Sequence, residues 1–405
     1  MLNPWLTFST RYVLRTYPAL QSHSDASWFK VLSEKDILST DEGNRILVML
    51  SKLATSARVY PRRFILEDVR YDPRPKVRGG FASVHVGLYQ KRSICAKVIP
   101  NEEDMNVSVV HFACVKEVIL WAHLQHRNIL PFYGVHQLSE DSDFCLVSPW
   151  MNNGTICEFA ARENLSQQSR MPLISDVIDG LLYLHELNIV HSDLKGHNVL
   201  ISDHRRALIT DFGISHIATA TARPGRTESL IGATVRWAPP EYLDNEKSKR
   251  PTKAWDVWSF GCLCYEVLSR RVPFHECRSD TQVIVALLKS ELPSRPELGC
   301  DIWDQIDDPT WDLMKACWEL KPEDRPTLWD IRSDFEKLGV QDDRPSVPAS
   351  PWSDTTPSYP GGESLVEHNL ERLEKILLEV SVYFLPPNDE RNLIRGSKTF
   401  LVGIA

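Results

Sequence analysis

The chain has 405 residues, 42% of them hydrophobic, and a net charge of −8. That is enough to bury a large core, and with no long basic run it argues against a nucleic-acid or membrane-surface role. No apolar stretch approaches the roughly 20 residues that span a bilayer, and nine cysteines without a paired C-x-x-C framework are the usage of a reducing compartment such as the cytoplasm.

Taken in chain order, the first two dozen residues lack acids and carry Arg11, Arg15 and several hydroxyls. Transit peptides share that composition, but a disordered terminus over 1–38 is the expectation. Ser39-Thr40-Asp41-Glu42 has the form of a capping box, and Ile46, Leu50 and Leu53 follow at helical spacing. Together they predict a helix over about 40–57 within an extension spanning 39–63. Phe64-Ile65-Leu66 opens the main domain, 64–338, in which alternating apolar residues from Val84 to Ile99 suit antiparallel strands while Leu173–Leu187 and Trp255–Leu268 read as helices. Residues 339–362, rich in Pro, Ser and Asp, read as a linker. Val366, Leu370, Leu373, Leu377, Val380 and Phe384 then recur at spacings of four and three, so 363–385 is expected to be an amphipathic helix ended by Pro386-Pro387, with a tail over 386–405. Its stripe would dock on the chain's own large domain or serve self-association or a protein partner.

The chemistry lies between these segments. His191-Ser192-Asp193-Leu194-Lys195-Gly196-His197-Asn198 is followed by Asp211-Phe212-Gly213, giving H-x-D-x-x-x-x-N and D-F-G. Upstream, Ile94-Cys95-Ala96-Lys97 places a lysine among apolar residues, and Glu117 sits in the helix-like segment His111–Leu120. Downstream come Pro239-Pro240-Glu241, Asp256-Val257-Trp258-Ser259-Phe260-Gly261, Cys317-Trp318 and Asp324-Arg325-Pro326. Singly, Asp193 would be a turn residue or helix cap and Glu117 an exposed helix charge; the ordered set carries the weight.

This set resembles the eukaryotic protein kinases, in particular the tyrosine-kinase-like group and the small kinases of mushroom-forming fungi. The resemblance implies an α+β fold of two lobes, a small antiparallel sheet with one helix and a larger, mainly helical lobe. It implies ATP and Mg²⁺ as cofactors and Ser/Thr hydroxyls of protein substrates as acceptors. By residue, it makes Asp193 the base, Lys195 its neighbour at the transferred phosphate, Lys97 and Glu117 an ion pair that positions ATP, and Asn198 and Asp211 the Mg²⁺ ligands. It sets Val77, Gly79, Gly80, Phe81, Ala82 and Val84 in the loop over the phosphates. Ser148 becomes a small gatekeeper, and the backbone of Trp150 and Met151 is expected to face the adenine. Glu241 and Arg325 are expected to pair, and Asp256 to brace the catalytic loop.

Four positions depart from the pattern. Val77 and Ala82 stand where the phosphate loop has its first and third glycines. Ser192 replaces the arginine that reads an activation-segment phosphate, so activity is expected to be insensitive to phosphorylation at Thr219, Thr221, Thr227 and Ser229. Trp121, one turn past Glu117, is bulky where the family has a smaller residue. The alternatives are a catalytically silent pseudokinase serving as a scaffold or switch, and a tyrosine or dual-specificity kinase, which Lys195 disfavours.

Overall fold

The computed structural model describes residues 65–78, 82–99, 117–118, 120–122, 124–136, 144–212, 235–243, 251–296 and 306–345. The helices expected over 40–57 and 363–385, the linker from 346 onward, and Gly79, Gly80 and Phe81 lie outside the described residues.

The amino-terminal lobe holds β1 (Arg70–Tyr71), β2 (Val77–Arg78), β3 (Ser83–Tyr89), β4 (Arg92–Ile99), β5 (Gly134–His136) and β6 (Phe144–Pro149). They form one antiparallel sheet in the order β1-β3-β4-β6-β5, with β2 also paired to β3. Gln90 and Lys91, both at positive φ (49° and 65°), make the two-residue reversal between β3 and β4. In β4 the period of two decides the faces. Ile94, Ala96 and Val98 are buried with Leu66, Val69, Tyr133 and Val147, so Cys95 and Lys97 take the opposite, half-buried side.

The second lobe contains α1 (Ile156–Arg162), α2 (Gln167–Glu186), a hairpin of β7 (Val199–Ile201) and β8 (Ala207–Ile209), α3 (Lys253–Ser269), α4 (Asp280–Leu288), α5 (Asp308–Cys317) and α6 (Leu328–Lys337). Local chemistry starts most of these helices. Thr155 and Glu158 form a capping box on α1, Thr327 and Asp330 another on α6, and Ser166, Ser279 and Asp307 cap α2, α4 and α5. The two helices expected at 173–187 and 255–268 are α2 and α3; α2 starts six residues earlier than its apolar pattern because Ser166 supplies the cap. Every residue of α3 from Trp255 to Ser269 is buried, as befits a helix apolar on all sides. It runs through a core that includes Trp258, Phe260, Tyr265 and Trp318. At Gly180, an added Cβ would sit 2.8 Å from Ile209 Cδ1 and 2.9 Å from Asn128 O, so α2 lies against β8 at a distance only glycine permits. The two-lobed α+β architecture is the one the resemblance implies. Among the described residues, no helix is long and apolar enough to cross a membrane.

Candidate active site

The loop from His191 to Asn198 is suspended from α3. Asp256, with no exposed surface, accepts hydrogen bonds at 2.8 Å from the backbone N–H groups of His191 and Ser192 and makes a third, also 2.8 Å, with His185 Nε2. Ser192 is left-handed, φ 66°, a conformation unfavourable for a residue with a Cβ, and its amide bond to Asp256 holds it there. His191 Nε2 meets Thr210 O at 2.9 Å, and its ring packs edge-on against Phe212, tying the loop to the D-F-G segment.

Asp193 is buried, and its oxygens are differentiated. Lys195 Nζ donates to Oδ2 at 2.7 Å, and Asn198 Nδ2 donates to the Asp193 carbonyl at 2.7 Å and to Oδ2 at 3.0 Å. Oδ1 is buried with no hydrogen-bond partner. One carboxyl oxygen is thus fixed by two donors while the other is left to accept a proton, the arrangement a base requires. The 3₁₀ turn Gly196–Asn198 presses against Glu266, whose Oε2 accepts from Gly196 N at 2.8 Å. A Cβ at 196 would stand 2.5 Å from Cys157 Sγ and 2.9 Å from Glu266 Cδ.

The β7–β8 hairpin carries Asn198 just before its first strand and Asp211 two residues past its second, and Thr210 N donates to Asn198 O at 3.0 Å. These are the two expected Mg²⁺ ligands. Asn198 commits its amide N–H to Asp193, which keeps the side-chain oxygen clear for a ligand role. With the Asp211 carboxylate it makes a pair of hard oxygen donors. That suits Mg²⁺, which is bound through one or two side chains with phosphates and water completing the shell.

Lys97 contacts Asp211 Oδ1 directly and lies 4.0 Å from Glu117 Oε1. The expected Lys97–Glu117 pair is therefore longer than the contact with Asp211. Burial raises the Asp211 carboxyl, but the charge and hydrogen bond of Lys97, with help from Lys195 and His191, outweigh it and hold the group below the usual range. Glu117, 2% exposed and with neither oxygen hydrogen-bonded, behaves oppositely. Burial pushes its carboxyl up to about 8, and the charge of Lys97 offsets only part of that. Trp121 follows one turn later in a helical stretch. Its bulk is absorbed: Nε1 donates to Leu130 O at 2.6 Å, and the ring packs on Phe132 and Phe212 at 5.1 and 6.1 Å.

On the nucleotide side, Val77 pairs with Val84 and Val84 lies opposite Lys97. Val77 is 58% exposed, so its branched side chain stands clear of the core, and Ala82 and Val84 are half-buried. Ser148, buried, faces Cys95 across the sheet. Trp150 donates its N–H to Ser93 O at 3.1 Å, so that amide is already engaged in the sheet.

Further along the chain come the 3₁₀ turns Val235–Trp237 and Pro240–Leu243. Arg325 grips Glu241 with two bonds of 2.7 Å, donates to Ala254 O and stacks on Trp258 at 5.1 Å, as the sequence leads one to expect. Trp237 Nε1 donates to the same Glu266 oxygen as Gly196, at 3.0 Å, so one buried carboxyl joins the His191–Asn198 loop to the Val235–Trp237 turn. Glu266 has no place in the sequence reading because it sits in an apolar helix with no motif to mark it.

The sequence profile described as "Protein kinase domain" matches residues 78–334. Over 264 residues the chain is 28% identical to serine/threonine/tyrosine-protein kinase HT1 of Arabidopsis thaliana, covering 64% of each chain. It is 26% identical over 267 residues to the tyrosine-protein kinase transforming protein Abl of Abelson murine leukemia virus, covering 65% of this chain and 34% of that one. Mitogen-activated protein kinase kinase kinase dlk-1 of Caenorhabditis briggsae is 26% identical over 262 residues, 64% of this chain and 27% of the relative. The chain thus spans 64% of the first of these relatives and about a third or less of the other two.

Proposed function

The chain belongs to the protein kinase family, and on that footing we propose that it transfers the γ-phosphate of ATP to Ser or Thr hydroxyls of protein substrates. The observation that carries this reading is the asymmetry of Asp193, with Oδ2 held by Lys195 and Asn198 and Oδ1 unpaired. In the reaction the acceptor hydroxyl lies against Oδ1, which takes its proton as the oxygen–phosphorus bond forms and the bond to the departing ADP breaks. Lys97 steadies the phosphates, and Lys195 offsets charge on the transferring group. Asn198 and Asp211 would hold Mg²⁺, which supplies charge neutralisation along the phosphates. Val77, Gly79, Gly80, Phe81, Ala82 and Val84 would cover the nucleotide, with Met151 and Trp150 beside the adenine.

Lys195 supports Ser/Thr over Tyr acceptors, and the Cys317-Trp318 and Arg325-Pro326 spacing supports the tyrosine-kinase-like group. Cysteine usage supports a cytoplasmic setting. One observation favours the silent alternative. Lys97 rests on Asp211 Oδ1, so while that contact lasts the carboxylate has only its other oxygen to offer a metal.

Full-length protein incubated with radiolabelled ATP and a generic protein substrate, followed by phosphoamino-acid analysis, decides among these. Phosphoserine and phosphothreonine that vanish in Asp193→Asn, with ATP binding retained, are expected. Phosphotyrosine alone overturns the acceptor assignment, and Mg-ATP binding without transfer establishes the pseudokinase.

A further inference from the structure

The matched kinase region ends at 334, but the ordered contacts do not. After α6 the chain reverses at Gly339, φ 65°, and runs back across the second lobe as a strap. This segment, composed like the start of a linker, reaches the turn of the β7–β8 hairpin. Arg344 is the anchor. Its Nη1 donates to Asp176 Oδ2 and to Arg205 O, both at 2.7 Å; its Nη2 reaches Pro172 O at 3.0 Å and Asp176 Oδ1 at 3.3 Å. Asp342 completes the set, accepting from Arg344 Nε at 2.8 Å and from Arg206 Nη1 at 2.7 Å, while Arg206 Nη2 donates to Pro345 O at 2.8 Å. The Arg344 side chain is only 13% exposed and that of Asp176 7%, so these are largely desolvated, charge-assisted bonds, the strong kind.

The position of this cluster gives it a consequence. Asp176 Oδ2 also accepts from Ala207 N, the first residue of β8, at 2.9 Å. A hairpin of two three-residue strands is too short to hold its own shape. Its open end presents Asn198 and Asp211, roughly 10 Å from the turn at about 3.3 Å per residue. Its closed end is gripped by Asp176 from α2, by Asn153, whose Nδ2 donates to Ser202 O at 2.9 Å, and by the strap, while its strands bond to Gly154 O and Asn128 O at 2.9 Å.

We propose that Arg344, seated on Asp176 and Asp342, is a positioning residue that fixes the register of Asn198 and Asp211 through the β7–β8 hairpin. The inference rests on the kinase reading only in taking those two residues as the Mg²⁺ donors.

The test uses full-length protein and two readouts that need no turnover. The first is amide hydrogen exchange without nucleotide. The second is ATP affinity measured as a function of Mg²⁺ concentration. Arg344→Ala should raise exchange across 199–209 by roughly tenfold, as expected for loss of hydrogen bonds to charged groups, and leave α3 unchanged. It should also raise the Mg²⁺ concentration for half-maximal ATP affinity several-fold, with Mg²⁺-free affinity unaltered. Arg344→Lys, which restores the charge but not the fork to Arg205 O and Pro172 O, should fall between. If Arg344→Ala does not fold, Asp342→Asn is expected to shift both readouts in the same direction by a smaller factor.

A lower melting temperature with unchanged Mg²⁺ dependence makes the strap a structural brace and overturns the proposal. So does a wild-type protein whose ATP affinity ignores Mg²⁺. A protein that binds Mg-ATP but transfers nothing defeats the phosphotransfer reading and leaves this one to be judged by its own two readouts.

Discussion

Replacing Asp256 by alanine isolates what holds the catalytic loop. The carboxyl group accepts from two backbone N–H groups and meets His185, each at 2.8 Å, in a site with no exposure. Orphaning two amides costs about 1–3 kcal/mol apiece, and the lost contact to His185, worth about 1 kcal/mol, takes the total to about 3–7 kcal/mol. Domains of this kind are stable by only about 5–15 kcal/mol, so the variant should be folded but near its limit in the cold. Ser192, left-handed at φ 66° against a preference of about 1–2 kcal/mol, then has reason to relax. Asp193 follows it in the chain, and a shift of about 1 Å at the base is enough to cost about 10²-fold in rate. Asp256→Asn keeps one acceptor but points an N–H₂ at the other amide, and should lose about half as much stability. Urea titration of the three proteins, with kcat measured in the absence of denaturant, checks both quantities. If Asp256→Ala lies within about 1 kcal/mol of the parent, below the penalty for even two orphaned amides, and keeps its kcat, the loop is held by something else and the reasoning fails.

Arg325→Met should destabilise by about 2–3 kcal/mol, because Glu241, its side chain 20% exposed, would lose a two-pronged, charge-assisted partner; a urea midpoint shift equivalent to under about 1 kcal/mol, the worth of an exposed pair, would show that the pair is solvent-screened. For Glu117, the folded carboxyl lies near 8 against an ordinary value of about 4.5. The folded protein therefore binds the extra proton, and the group's contribution to stability falls as pH rises through that window. The charged form that can hold Lys97 grows through the same range, so ATP affinity should climb toward pH 8. Glu117→Gln should flatten that climb, and an unchanged profile would exclude Glu117 as its source. Trp121→Phe removes the donor to Leu130 O and should cost about 1–3 kcal/mol by thermal unfolding; no loss would mean water replaces the indole.

What the sequence made legible was whatever depends on residue type at fixed short spacing. The catalytic loop and D-F-G segment are such patterns, and the 3.6-residue period located α2 and α3 because long helices leave many repeats. The turn at Gln90-Lys91 left no signal, since neither residue is the usual glycine or asparagine for positive φ. The choice Lys97 makes between Glu117 and Asp211 depends on distance and burial, which a motif does not encode. Trp121 gave no sign of its direction because the outcome hangs on Leu130 O and two rings brought in by other segments. Glu266 and Asp176 were invisible for a related reason: each acts through partners 29 to 168 residues away.

The contact between Asp176 and Arg344 closes across 168 positions of the chain. Synthesis runs from the amino terminus, so α2 and both strands of the hairpin emerge long before the residues of the strap that fasten them. Until Asp342 and Arg344 arrive, the hairpin turn is held by Asp176 through the Ala207 amide, with Arg206 at 3.7 Å, and by Asn153 through Ser202 O. Non-local contacts of this span form late because closing the loop costs entropy before it returns any. The nascent kinase domain therefore passes through a stage in which its helices are packed and the turn of the β7–β8 hairpin still lacks its strap.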